Sequence, residues 1–244
     1  MSEYYAKSDV GLKRSINQDS YLTIENKYGD FLGIVCDGIG GANAGEVASG
    51  EAVKYFADIF EKSGPFTTLE EAAKYLKENL DAANKRIYTL AHKNSFLKGM
   101  GTTVTGILMT KNGCLSFNAG DSRVYGVLDD KLFRLTYDHT LVNQMLEKGE
   151  ITYEESIDHP MKHYLVRALG ITDKVDFDIH AVKDMDHYLL CSDGLCGYVN
   201  DDEIIEILND PGNDSCQKKC DELLKAALLK GGYDNITVVV VRKL

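Results

Sequence analysis

Ile34-Val35-Cys36-Asp37-Gly38-Ile39-Gly40-Gly41 carries an apolar, β-branched run into an aspartate that is followed at once by glycines. A strand, a glycine-rich turn and a helix in that order also open the dinucleotide loop of a parallel, doubly wound sheet. The G-x-G-x-x-G spacing is not completed, because Asn43 stands where the last glycine or alanine should follow Gly38 and Gly40. The informative residue is therefore Asp37. A carboxylate at the end of a buried strand is costly to desolvate unless a cation or hydrogen bonds compensate it.

The same arrangement recurs along the chain. Asp121 lies in Asn118-Ala119-Gly120-Asp121-Ser122-Arg123, Asp193 in Leu189-Leu190-Cys191-Ser192-Asp193-Gly194, and Asp234 in Gly232-Tyr233-Asp234-Asn235-Ile236-Thr237. Several such strand ends point to one shared metal centre. Hard oxygen ligands select Mg²⁺ or Mn²⁺, and two such ions about 3.5 to 4 Å apart can clamp a phosphoryl group and activate a water. Taken singly, Asp193 and Asp234 read equally as helix or turn caps, and Asp121 as a residue of a tight turn.

Outward from this run, strands are predicted at 21–24 and 31–36, followed by helices over 45–60 and from a Thr68–Glu71 capping box through Leu90. Strands at 102–110, 114–118, 124–128 and 132–136, joined by Asn112-Gly113 and Asp129-Asp130 turns, read as an antiparallel meander. The stretch 138–170 turns polar, with a short helix at 141–148 and a break at His159-Pro160, and reads as an inserted flap. Strands at 175–181 and 188–192, helices at 202–208 and 216–229, and a last strand at 236–241 complete the chain. Strand runs alternating with helix pairs predict an α+β fold of antiparallel sheets covered by helices.

Arg14-Ser15-Ile16-Asn17-Gln18-Asp19, Gly101-Thr102-Thr103 and Asp138-His139-Thr140 complete the ordered set. Together these segments resemble the metal-dependent protein phosphatases of the protein phosphatase 2C family, the bacterial branch most closely, over the whole chain. The resemblance implies an α-β-β-α sandwich of two antiparallel sheets flanked by helices, a single catalytic domain over 1–244 with its flap at about 138–170. It implies a Ser/Thr phosphoprotein phosphatase in which a water activated by two Mn²⁺ or Mg²⁺ ions attacks the phosphoryl group directly, with no covalent intermediate. Asp37 would bridge the metals, the Gly38 carbonyl would bind one of them, and Asp193 and Asp234 would complete the pair. Asp121 would join Asp193 at a third, weaker position, and Asp19 would orient metal-bound water. Arg14 would grip the phosphate through its planar fork.

Two positions depart from the family pattern. Gln18 stands where some members have glutamate, which lowers the negative charge of the site. Ile39 stands where some eukaryotic members have a histidine proposed as general acid, and an isoleucine cannot protonate the leaving oxygen. His139 is expected to order the loop entering the flap. His159 and His163 have zinc-helix spacing, but Pro160 intervenes and no glutamate accompanies them. No cysteine has an arginine at the spacing of a Cys-dependent phosphatase loop.

At 244 residues with a net charge of -11, the chain is suited to neither nucleic acid nor an anionic membrane. The site must then supply its own positive charge to phosphorylated proteins, the expected partners, together with a cognate Ser/Thr kinase and its substrates. No run reaches the roughly 20 apolar residues of a membrane span, and Met1-Ser2-Glu3-Tyr4-Tyr5 lacks a signal-peptide core, so a cytoplasmic monomer with reduced, structural cysteines is expected. Two rivals remain: a catalytically silent phosphoprotein-binding module of the same fold, and a metal-dependent hydrolase of other phosphoesters.

Overall fold

Successive residues of strand β3 (Phe31–Ile39) face two different cores, as the two-residue period of a strand requires. Leu32, Ile34 and Cys36 pack with helices α1 (Ala44–Phe60) and α2 (Leu69–Lys93), whereas Phe31 and Val35 join Val124, Tyr188, Leu190, Val239 and Val241 between two sheets. A continuous apolar run is thus explained by cover on both faces. The computed structural model describes residues 2–40 and 44–243; Gly41 of the quoted run and Asn43 lie outside the described residues.

One sheet has five strands in the order β1 (Ser2–Asp9), β11 (Ile236–Lys243), β10 (His187–Cys191), β7 (Arg123–Leu128) and β8 (Lys131–Arg134). The other runs β2 (Asp19–Glu25), β3, β5 (Val104–Thr110), β6 (Gly113–Ala119) and β9 (Asp178–Val182), with β4 (Gly101–Thr102) paired to the end of β3. All pairings are antiparallel. The outer face of the first sheet, with Tyr125, Val127, Leu189, Cys191, Val238 and Val240, is covered by α5 (Asp193–Cys196), α6 (Asp201–Asn209) and α7 (Cys216–Leu229). Helix, sheet, sheet, helix is the layering expected from the sequence.

Several local expectations are corrected. The meander is two hairpins in different sheets: β5 and β6 belong to one, β7 and β8 to the other, and the chain crosses between them at Gly120-Asp121-Ser122. The predicted 102–110 strand breaks at Thr103, whose N–H donates to the Asp37 carbonyl while its Oγ1 accepts from the Asp37 N–H at 2.9 Å. Strand β1 is an addition, an edge strand paired along its length with β11. Thr68 caps α2 as expected, but the Glu71 carboxylate reaches back to Thr67 rather than to Thr68 itself.

The stretch 138–170 holds α3 (Leu141–Glu147) and a short α4 (Tyr153–Ile157) with its own Thr152–Glu155 capping box. It is tied to the body at its root. The Thr140–Leu165 and Thr102–Leu169 bridges and the bond from the Val166 N–H to the His139 carbonyl hold the returning chain. His139 itself is fastened on every side: its N–H donates to the Gly120 carbonyl, Nδ1 accepts from the Gly120 N–H, and Nε2 lies 3.0 Å from Asp178. That agrees with an ordering role. All six cysteines are free thiols.

Candidate active site

The carboxylates come together where strands of both sheets end on the same edge. Asp19 and Asp37 are direct partners in the β2–β3 register, Asp193 opens α5 immediately after β10, Asp234 precedes β11, and Asp121 sits on the crossing from β6 to β7. Arg14, Asp37, Gly38, Asp121, Asp193 and Asp234 all line one cleft of ≈ 650 Å³. Asp19 lies beneath it, 8% exposed.

A few fixed contacts build this edge. Asn235 accepts from the Gln18 N–H at 2.8 Å and donates to the carbonyls of Val10 and Ile16, so one side chain holds both ends of the Arg14 loop. Ser192 donates to Asp19 Oδ2 at 2.7 Å and accepts from the Thr237 N–H, joining the floor of the site to β11. Thr103 ties Asp37 to the crossing through a 2.8 Å bond with Ser122. Gly38 has a packing reason to be glycine: a Cβ there would come within 2.2 Å of the Gly45 carbonyl oxygen at the start of α1.

Burial and crowding govern the charges. Burial, followed by the neighbouring charges of Asp19 and Asp193, pushes the Asp37 carboxyl well above the usual range. Asp121 is raised well above that range by burial and then by Asp193, and Asp193 is raised by burial and then by Asp234. Asp19 is pushed up to about 7, by burial first, against the hydrogen bonds from Ser192 and Thr237. Arg14 contacts this group at 2.7 Å from Asp234.

The sequence-predicted residues are not equally close. Asp37 and Asp193 are within hydrogen-bond reach of each other, while Asp234 is turned to Arg14. Among the described residues, the trio whose ligand atoms all lie within 4.8 Å of one another is Asp121, His163 and Asp193. His163 was set aside in the sequence with the zinc-helix pattern, and its approach to Asp193, 3.9 Å, is a long-range contact that no local spacing announces. Asn235 was likewise legible only as a neighbour of Asp234.

Hard divalent cations fit this set. Oδ1 of Asp19 and Oδ1 of Asp193 are buried without a hydrogen-bond partner, and the surrounding carboxylates are an oxygen-rich donor group. A second cleft of ≈ 560 Å³ adjoins the first, sharing Asp121, His163 and Asp193 and bounded by Tyr153, Ile157 and Lys162 of the 138–170 stretch.

Two helix-covered antiparallel sheets with acidic strand ends at one edge match what the resemblance to metal-dependent phosphatases leads one to expect, and comparison with known proteins agrees. The chain belongs to the protein phosphatase 2C family of protein serine/threonine phosphatases, whose profile matches residues 13–228. It is 38% identical over 239 residues to the serine/threonine phosphatase stp of Listeria welshimeri, covering 97% of this chain and 94% of that one. The crystal structure of serine/threonine phosphatase Stp1 from Staphylococcus aureus is similar with a TM-score of 0.92 and 32% identity, over 100% of this chain and 96% of that one. The catalytic domain of the serine/threonine protein phosphatase PstP, solved in complex with 2 manganese ions, is similar with a TM-score of 0.83 and 34% identity, over 99% and 97% of the two chains. No helix among the described residues is long and apolar enough to cross a membrane.

Proposed function

We propose that this phosphatase hydrolyses phosphoserine and phosphothreonine in proteins by a single displacement, without a covalent intermediate, at a centre for two divalent cations with a third position beside it. The observation that carries the reading is the convergence of Asp19, Asp37, Asp121, Asp193 and Asp234 at one sheet edge, with buried Asp19 and Asp193 oxygens that have no partner. Mn²⁺ or Mg²⁺ held by Asp37, the Gly38 carbonyl, Asp193 and Asp234 would supply Lewis acidity, lowering the pKa of a water and neutralising phosphoryl oxygens.

The remaining roles fall to the chain itself. Arg14, held in the cleft by Asp234, offers its other N–H groups to the substrate phosphate. Asp19, anchored by Ser192, orients water from below. Ile39 lines the cleft and has no proton to give, so the leaving serine or threonine oxygen takes its proton from solvent. The 138–170 stretch, bordering both clefts, acts as a flap that selects substrates on a single domain. The names of the relatives as serine/threonine phosphatases support an enzyme acting on phosphorylated proteins; a cytoplasmic location and a cognate Ser/Thr kinase as its opponent belong to the same proposal.

The test is phosphate release from phosphoserine and phosphothreonine peptides, with Mn²⁺ and with EDTA, beside a nucleic-acid substrate. Release only from the peptides and only with the metal is expected. Equal turnover of the nucleic acid would redirect the reading to a broader phosphoesterase, and no release from any substrate would point to a silent binding module.

A further inference from the structure

We propose that Tyr198 and Tyr233 form an aromatic platform at the mouth of the cleft that selects phosphopeptides carrying an arginine within a few residues of the phosphorylated side chain. The proposal rests on the reading of the protein as a phosphopeptide hydrolase and adds a specificity site apart from the carboxylates and the flap. The two rings stack with centroids 5.6 Å apart and planes 29° from parallel, yet they stay 39% and 52% exposed. Aromatic surface left open beside a substrate cleft is surface available to a partner. Tyr198 lines both clefts, and Tyr233 is stacked on it.

The platform is fixed relative to Arg14. On one side of Tyr233 the Gly232 carbonyl accepts from the Leu12 N–H at 2.7 Å, and on the other Asp234 holds the Arg14 guanidinium at 2.7 Å. Tyr233 is therefore clamped between two ties to the loop that grips the phosphate. Its ring lies against Gly231, where a φ of +120° and the lack of a side chain leave the space: a Cβ there would come within 2.3 Å of the ring. Tyr198 follows α5, the helix that begins with Asp193, and its N–H donates to the Leu195 carbonyl at 3.1 Å. A phosphate held by Arg14 thus brings the neighbouring residues of its peptide, spaced by about 3.3 to 3.6 Å in an extended chain, within reach of the two rings.

The charge of the surroundings decides which side chain fits. The faces of the phenol rings attract a cation, and a planar guanidinium also stacks on them, which an ammonium cannot do. Asp201, Asp202 and Glu203 open α6 shortly after Tyr198, the bound phosphate brings negative charge of its own, and the chain as a whole carries a net charge of -11. A glutamate or aspartate beside the phosphorylated residue would meet repulsion at the same spot.

The experiment measures kcat/KM in Mn²⁺ for phosphothreonine peptides that are alike except at one position, from three before to three after the phosphothreonine, which holds arginine, leucine, glutamate or alanine. The wild type should favour arginine over alanine by about two- to fivefold at one or more positions, the worth of one cation–π contact at a half-exposed ring, and should disfavour glutamate. Replacing both tyrosines, Tyr198→Leu with Tyr233→Leu, keeps apolar bulk and removes the ring faces, so the arginine-to-alanine ratio should fall close to one. Tyr233→Leu alone, at the more exposed ring, should lower the ratio in part, and Tyr198→Phe with Tyr233→Phe should keep it. Because the readout is a ratio within one enzyme, a general loss of activity or stability does not imitate it. An arginine preference that survives the double leucine variant, a preference for leucine over arginine, or equal rates with all the substituted peptides overturns the platform alone. Failure to release phosphate from any peptide overturns the hydrolase reading beneath it.

Discussion

At the scale of residues, neighbours in one cleft do different kinds of work, and kinetics separates them. Arg14 touches the ground-state phosphate, so Arg14→Ala should raise KM by about ten- to a hundredfold, the worth of charged hydrogen bonds, with a smaller loss in kcat. Asp121→Asn should do the reverse, lowering kcat with little change in KM; wild-type turnover across a Mn²⁺ titration would remove Asp121 from the site. Ile39 leads to a second expectation. With no acid poised beside the leaving oxygen, rates should rise steeply as the leaving-group pKa falls, aryl phosphates turning over faster than alkyl ones. A flat dependence with chemistry limiting would mean a missed acid. Both ring nitrogens of His139 are already engaged, so His163, the histidine that lines the cleft, is then the first to substitute.

At the scale of elements, what the sequence made legible follows from what is local. Helices α1, α2, α6 and α7 are readable because their apolar stripes repeat within a few residues, and α2 also because its Thr68 cap is local. The apolar runs of β3, β10 and β11 were readable as buried strands, and the aspartates at or beside their ends as a cluster. Which sheet each strand joins was not: β5, β6 and β7 are buried on both faces and read alike in either sheet, so with β8 they look like one meander, and the change of sheet at Gly120-Asp121-Ser122 has no local mark. Strand β1 escaped notice because Ser2–Asp9 is a half-buried edge with weak alternation. The approach of His163 to Asp193 depends on how the 138–170 stretch folds back. That stretch also supplies a prediction. Replacing residues 147–155 with a short Gly-Ser linker removes the end of α3 and the start of α4 but leaves the tethers at Thr140, Leu165 and Val166. Hydrolysis of a small aryl phosphate should stay within a few-fold of wild type while the ranking among phosphoprotein substrates changes. Loss of folding would make the segment core, and an unchanged ranking would remove its role in selection.

At the scale of the whole molecule, the acidic edge couples metal, proton and stability. The carboxyls of Asp19, Asp37, Asp121 and Asp193 are all raised by burial and mutual repulsion, so in EDTA the folded protein binds more protons there than the unfolded chain. Their stabilising contribution is complete below the ordinary carboxylate range and is lost as pH rises, through about 7 for Asp19. Melting temperature in EDTA should therefore fall between about pH 5 and about pH 8, relative to the same protein in saturating Mn²⁺, which compensates the ionised group. Parallel curves in the two conditions would detach the cation from this cluster. The most direct test of the central claim is the rate of phosphate release from a phosphothreonine peptide against free Mn²⁺, for the wild type and for Asp37→Asn. The account predicts a saturable dependence in the wild type, abolished by EDTA, and a loss of roughly a thousandfold or more in Asp37→Asn, because the variant removes a ligand shared by the clamp. Wild-type turnover in chelator, or an Asp37→Asn enzyme that keeps its rate, would contradict it.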